Sequence, residues 1–150
     1  MKKTVVFLCG LIGAGKTTYA INNFKVFTDL DLMRDKQFGV KKIDQINLTK
    51  ELLKDNDEVC HITCFPSKSE IDSFREYEIK YLWIDTNPLE AQRNVISRNR
   101  KRDMSRLDEI FKANRDYAWK KKTSNIEFKE VKTKNKKNKT KEGSNNGSIN

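Results

Sequence analysis

Cysteine is scarce in this chain and odd in number: three residues, Cys9, Cys60 and Cys64. An odd count offers no disulfide framework, so a reducing, cytoplasmic setting is expected. No apolar stretch approaches the roughly 20 residues that a membrane span needs, so no membrane partner is expected. The run Val5 to Cys9 behind Met1-Lys2-Lys3 looks at first like a secretion signal. Gly10 breaks it, Lys16 follows, and no small-residue cleavage site comes after. There is one histidine, His61, and no internal repeat. Cys60, His61 and Cys64 lack the separated pairs of a zinc site, and a strand would turn Cys60 and His61 to opposite faces. Cys9 and Cys60 therefore read as small core residues. His61 reads as structural, with an acid–base role the alternative. Trp83 and Trp119 read as core and helix-packing residues, base stacking being the alternative.

Hydrophobic residues are also few, at 36% of 150 residues, and part of that deficit lies in one place. From Lys132 to Asn150 the only aliphatic is Ile149, among six Lys, one Glu and many Asn, Gly, Ser and Thr. Such a segment buries too little apolar surface to offset its ordering entropy, so 132–150 is expected to be a basic disordered tail and 1–131 the folded domain. The tail carries half of the net charge of +10, which leaves the body basic as well. A basic body suits an anionic partner, either nucleotide phosphates or a nucleic-acid backbone; a merely soluble surface is the alternative.

Five short apolar runs read as buried strands: Thr4 to Cys9, Lys25 to Thr28, Glu58 to Thr63, Ile79 to Ile84 and Ile126 to Val131. Helix starts lie between them. Ser67-Lys68-Ser69-Glu70 is a capping box. Asn87-Pro88 places a cap before a proline at the first helical position. Ser105-Arg106-Leu107-Asp108 opens a helix whose apolar residues Leu107, Ile110, Phe111, Tyr117 and Ala118 recur every three to four positions. Strands alternating with helices predict an α/β fold: a doubly wound, mostly parallel five-stranded sheet with helices on both faces. Ligands of such sheets sit beyond the carboxyl ends of the strands.

The sharpest motif follows the first strand. Gly10-Leu11-Ile12-Gly13-Ala14-Gly15-Lys16-Thr17 matches G-x-x-x-x-G-K-[ST] between an apolar strand and a helix predicted from Thr17 to about Asn23. Glycines let the backbone fold closely around phosphate, so that successive N–H groups face its oxygens. The helix adds its positive end. Lys16 is expected on the β- and γ-phosphates, Thr17 on Mg²⁺ and Thr18 on the α-phosphate of ATP.

After the second strand comes Asp29-Leu30-Asp31-Leu32-Met33-Arg34. A carboxylate there would face the γ-phosphate and could take a proton from an attacking hydroxyl, with an Arg to hold an anionic acceptor. The alternative is that Asp31 caps a short helix. Arg93, Arg98, Arg100, Lys101, Arg102 and Arg106 crowd a predicted helix–helix junction. They read either as a solvated basic face or as a lid whose arginines neutralise charge on a transferring phosphoryl group. Arg98 and Arg102 are four apart, so one helical turn would set them on one side.

Together, GLIGAGKTT, DLDLMR and RNVISRNRKRDMSRLDEIFKANRDYAW resemble the kinase domain of phage polynucleotide kinase and its P-loop relatives, over about residues 4 to 119. The resemblance implies a doubly wound core and transfer of the γ-phosphate of ATP, with Mg²⁺, to a hydroxyl. By position it implies Asp31 as general base, Arg34 as the arginine steadying an acceptor phosphate, and Arg98 and Arg102 as lid arginines. One departure stands out. The family has Asp followed by Thr-Asn after its third strand, where this chain reads Thr63-Cys64-Phe65-Pro66-Ser67. Asp85, after the fourth strand, either compensates or only precedes the helix at Asn87. The expected function is thus an ATP-dependent kinase acting on the 5′-hydroxyl of a polynucleotide or on a modified base in DNA. A nucleoside or nucleotide kinase, a kinase of a sugar nucleotide, and an ATP-binding protein with little transferase activity are the alternatives.

Overall fold

The strand Thr4–Cys9 (β1) is buried from Val5 onward, as suits the middle of a parallel sheet covered on both faces. Its continuous apolar run is what a central strand requires. After the helix Lys16–Asn23 (α1), Phe27–Thr28 (β2) runs to the sheet edge. Glu58–Ile62 (β3) and Glu78–Ile84 (β4) flank β1, with Phe7 opposite His61 on one side and Tyr81 on the other. Lys129–Val131 (β5) closes the far edge, giving the order β2-β3-β1-β4-β5 with every pairing parallel. The expected α/β sheet is present, and it is wholly rather than mostly parallel. The computed structural model describes residues 2–133. Residues 134–150, most of the expected tail, lie outside the described residues.

The remaining helices are Leu30–Lys36 (α2), Lys42–Leu53 (α3), Lys68–Ser73 (α4), Pro88–Arg98 (α5), Lys101–Met104 (α6) and Leu107–Thr123 (α7). Two starts are capped as the sequence predicts. Ser67 accepts from the Glu70 amide while Glu70 reaches back to the Ser67 amide. Asn87 accepts from the Glu90 amide, with Pro88 opening α5. The helix α3 is not foreseen by the sequence reading. Its buried face includes Gln45 and Thr49 beside Ile46 and Leu53, and these polar residues hide the apolar period.

The core stacks side chains from the central strands against the helices. The Phe7 ring meets His61 edge-on at 5.4 Å and Phe74 at 5.9 Å. Each fully buried Phe or Leu contributes about 1.5–3 kcal/mol relative to exposure. Cys9, Cys60 and Trp83 are core residues as predicted. Trp119 is not: it is 63% exposed, because Ile110 and Asn114 take the inward face of α7. The second, third and fifth strands are shorter than predicted. Before β5, the Ile126 amide bonds to the Ser124 hydroxyl in a turn, and Phe128 packs on Trp83 rather than continuing a ladder back to Ile126. No helix among the described residues is long and apolar enough to cross a membrane.

Candidate active site

The turn from β1 into α1 is shaped by glycine. Gly13 and Gly15 have φ of +94° and +93°, a region that side chains disfavour. A Cβ on Gly13 would lie 2.4 Å from the Ala91 carbonyl oxygen of α5. The loop is also held from outside. The Asn114 amide donates to Ile12 O at 2.9 Å and accepts from Ile12 N at 2.7 Å, and Asn94 donates to Gly13 O at 2.8 Å. The Gly10 amide donates to Cys64 O at 3.1 Å. Thus α5, α7 and the end of β3 all fix one short backbone segment.

The first turn of α1 has no side-chain cap and no acidic residue, so its positive end is left for an outside anion. Lys16 curls back, donating to Gly10 O at 2.8 Å and Leu11 O at 2.7 Å, with Cys64 Sγ at 3.7 Å. A cation resting on carbonyls, beside free helix N–H groups, is the arrangement that a polyphosphate can take over. The Thr17 hydroxyl donates to Asp29 Oδ2. That hydroxyl and carboxylate, both hard oxygens at the phosphate end of the loop, suit Mg²⁺. Thr18 is exposed on the next turn position.

The sequence reading missed Asp29. It is buried, and its second oxygen accepts from the Asp31 amide at 2.9 Å, so Asp29 caps α2. The alternative that Asp31 is the cap is therefore excluded. Asp31 lies in the first turn, 58% exposed, with Arg102 at 3.9 Å. Arg102 also bonds Asp35, and this bond, against partial burial, raises its pKa above the ordinary value. Arg98 donates to the buried Asp103 at 3.1 Å. Burial and then Arg100 lower the Arg98 pKa, while Asp103 and Asp31 offset them. Asp31 thus faces Arg102, while Arg98 is held by Asp103.

The helical face that the spacing of four predicts for the two arginines is not formed. Arg98 and Arg102 do not share a helical turn. Asn99, at φ of +51°, ends α5 in the left-handed conformation, and Arg102 belongs to α6. The break turns Arg102 towards α2 and leaves Arg98 on Asp103. Arg34 is exposed, and its Nε donates to Val40 O at 3.0 Å, which ties the loop after α2 back to the helix.

Asp85 directly follows β4. It pairs with Lys132 at 3.4 Å, across from β5. A different carboxylate lies beneath Thr63: Glu70, 1% exposed. Its oxygens meet His61 Nε2 at 2.8 Å, Lys42 Nζ at 3.1 Å, the Ser67 amide at 2.9 Å and the Thr63 hydroxyl at 3.3 Å. Burial pushes the Glu70 pKa up, but the His61 bond, the Lys42 charge and the Ser67 amide together outweigh it and hold it at about 2. Burial lowers the His61 pKa against the pull of Glu70. A neutral ring then donates from Nε2 to Glu70 and accepts at Nδ1 from the Thr49 hydroxyl, 2.8 Å away. His61 is thus a structural relay with no solvent contact, and its carboxylate partner comes from α4 rather than from the strand end.

No family model matches the chain, and no curated protein matches it. Among solved structures it is similar to one titled crystal structure of APE1195, at 21% identity over 77% of this chain and 78% of that one, with a TM-score of 0.49. It is also similar to a gluconokinase from Sinorhizobium meliloti 1021, at 11% identity over 89% of this chain and 83% of that one, with a TM-score of 0.48. Neither likeness bears on activity, which rests on the residues of the site.

Proposed function

We propose that this chain is an ATP-dependent kinase that transfers the γ-phosphate to a hydroxyl, with the 5′-hydroxyl of a polynucleotide, or a hydroxyl on a modified DNA base, as the acceptor. The observation that carries the reading is the pairing of two carboxylates on one short segment. Asp29 holds the Thr17 hydroxyl while Asp31, two residues on, faces Arg102 of α6.

ATP fits the uncapped start of α1 and the glycine-shaped loop. Lys16 would exchange the carbonyls of Gly10 and Leu11 for β- and γ-phosphate oxygens, and the amides from Gly13 to Thr18 would line the rest. Thr17 and Asp29 would hold Mg²⁺, which supplies charge neutralisation on the phosphates when bound. Asp31 would accept the proton of the incoming hydroxyl. Arg98 and Arg102 would stabilise charge on the transferring group, and Arg34 would hold an acceptor phosphate. A nucleic-acid acceptor is favoured by the basic body and by the resemblance of the loop and lid to polynucleotide kinases.

The test is transfer from γ-labelled ATP to a panel of 5′-hydroxyl DNA and RNA, hydroxymethylated DNA, nucleosides, nucleoside monophosphates and sugar nucleotides. Label on an oligonucleotide, lost in Asp31→Asn with ATP still bound, is the expected result. Label confined to small acceptors moves the chain to the nucleotide- or sugar-nucleotide-kinase reading. ATP hydrolysis indifferent to every acceptor would overturn transfer altogether.

A further inference from the structure

Phe38 is 101% exposed, the most exposed large apolar side chain among the described residues. Burying such a ring would gain about 1.5–3 kcal/mol, so its position in water has a cost that the fold does not recover. Nor is it on a loose tip. The Gln37 amide donates to Met33 O at 3.0 Å, the Arg34 Nε donates to Val40 O at 3.0 Å, and Val40 is buried. Gly39, at φ of +84°, makes the turn between them. The backbone on both sides of Phe38 is anchored, and the ring is held outward.

Its neighbours are cationic and open. Lys36 and Lys41 flank the loop, both exposed and neither ion-paired among the described residues. The Lys42 ammonium, by contrast, is occupied by Gln45 and Glu70. Of the nearby acids, Asp35 is engaged by Arg102, and Asp44 accepts from the Lys41 amide. The loop directly follows α2, the helix that carries Asp31 and Arg34. From Asp31 to Lys36 the helix rises about 7.5 Å, a little more than two stacked nucleotide steps of about 3.4 Å.

We propose that Phe38 is a stacking platform for a base of a single-stranded polynucleotide acceptor, the second or third from the reacting end, with Lys36 and Lys41 on its phosphates. An aromatic face between exposed cations is the combination that binds single strands without sequence preference. The proposal rests on the polynucleotide reading of the acceptor site and deepens it.

The experiment compares wild type, Phe38→Ala and Phe38→Trp. One measurement is the KM for 5′-hydroxyl single-stranded DNA. The other is the anisotropy of the same DNA labelled at its 3′ end. Phe38→Ala should raise both the KM and the dissociation constant between roughly 5- and 150-fold, the range that stacking of one base supports, with the KM for ATP kept. Phe38→Trp should restore binding, and its added fluorescence should be quenched by the DNA. An abasic site at the second or third position should remove most of the difference between wild type and Phe38→Ala. Unchanged DNA binding in Phe38→Ala would overturn the proposal, as would a loss that persists with every abasic strand. If no DNA is phosphorylated but the Phe38-dependent binding is present, the platform stands and the acceptor assignment fails.

Discussion

The side chain of Asn114 grips the backbone of Ile12 at both its amide and its carbonyl, across 102 positions of sequence. One buried carboxamide of α7 thus fixes the shape of the glycine-rich loop after β1. The Asn94 bond to Gly13 O adds a second hold from α5.

Asn114→Ala should release the first of these holds. The two Ile12 groups lose their partners, at a cost of about 1–3 kcal/mol, which lowers the melting temperature by roughly 5 °C in a domain of this size. Because the loop is no longer held in the phosphate-binding form, ATP affinity should fall about tenfold. Differential scanning fluorimetry and nucleotide titration on the same sample separate the two effects. A stability loss with unchanged ATP affinity would show that the loop holds its own shape.

Gly13→Ala attacks the same segment from the other side. Its methyl would lie 2.4 Å from the Ala91 carbonyl oxygen, at a φ of +94°. Backbone strain of about 1–3 kcal/mol adds to the clash. The variant should melt lower than Asn114→Ala and should fail to bind ATP at concentrations that saturate wild type.

Asp29→Asn isolates charge from capping. Asn caps helices as well as Asp does, so α2 should persist. The Thr17 hydroxyl loses an anionic partner, and the oxygen pair suited to Mg²⁺ loses its charge. Loss of such an orienting partner typically costs 10–100-fold in metal affinity or activity, so the Mg²⁺ needed for half-maximal activity should rise by about that factor. Activity measured against Mg²⁺ at fixed ATP reads this directly. A normal Mg²⁺ dependence would mean that Asp29 serves only α2.

The sequence makes some of this legible and hides the rest for physical reasons. β1 and the phosphate loop are local features: a continuous apolar strand, fixed glycines and a lysine within a few residues of one another. The caps at Ser67 and Asn87 are equally local. What escapes is long-range or doubly used. Nothing near Asn114 in sequence points to Ile12. Asp29 satisfies the rules for a helix cap while its other oxygen holds Thr17. Glu70 is both the return half of a capping box and the buried partner of His61. The arginine pair shows the converse error. A spacing of four implies one helical face only where the helix continues, and Asn99 ends it.

Glu70 also sets how the fold responds to acid. Its pKa lies at about 2 in the folded chain against an ordinary 4.5, so the unfolded chain binds the proton more readily. Its stabilising contribution is present above 4.5 and is lost as the pH falls towards 2. A shift of this size corresponds to about 3 kcal/mol. His61 acts in the same direction and sooner. Its folded pKa is lowered below 6.5, so stability begins to fall as the pH drops through the range where the unfolded imidazole takes its proton. Urea midpoints should therefore decline in acid, first from His61 and then from Glu70. Glu70→Gln should cost about 1–3 kcal/mol at neutral pH, because the buried His61 ring and the Ser67 amide lose an ionised acceptor while the partly exposed Lys42 ammonium can turn to water. The same variant should flatten the decline between pH 4.5 and 2. If Glu70→Gln matches wild type at pH 7 and keeps the full acid slope, the carboxylate is not the ionised centre of this network, and the loss must be sought in the exposed pairs instead.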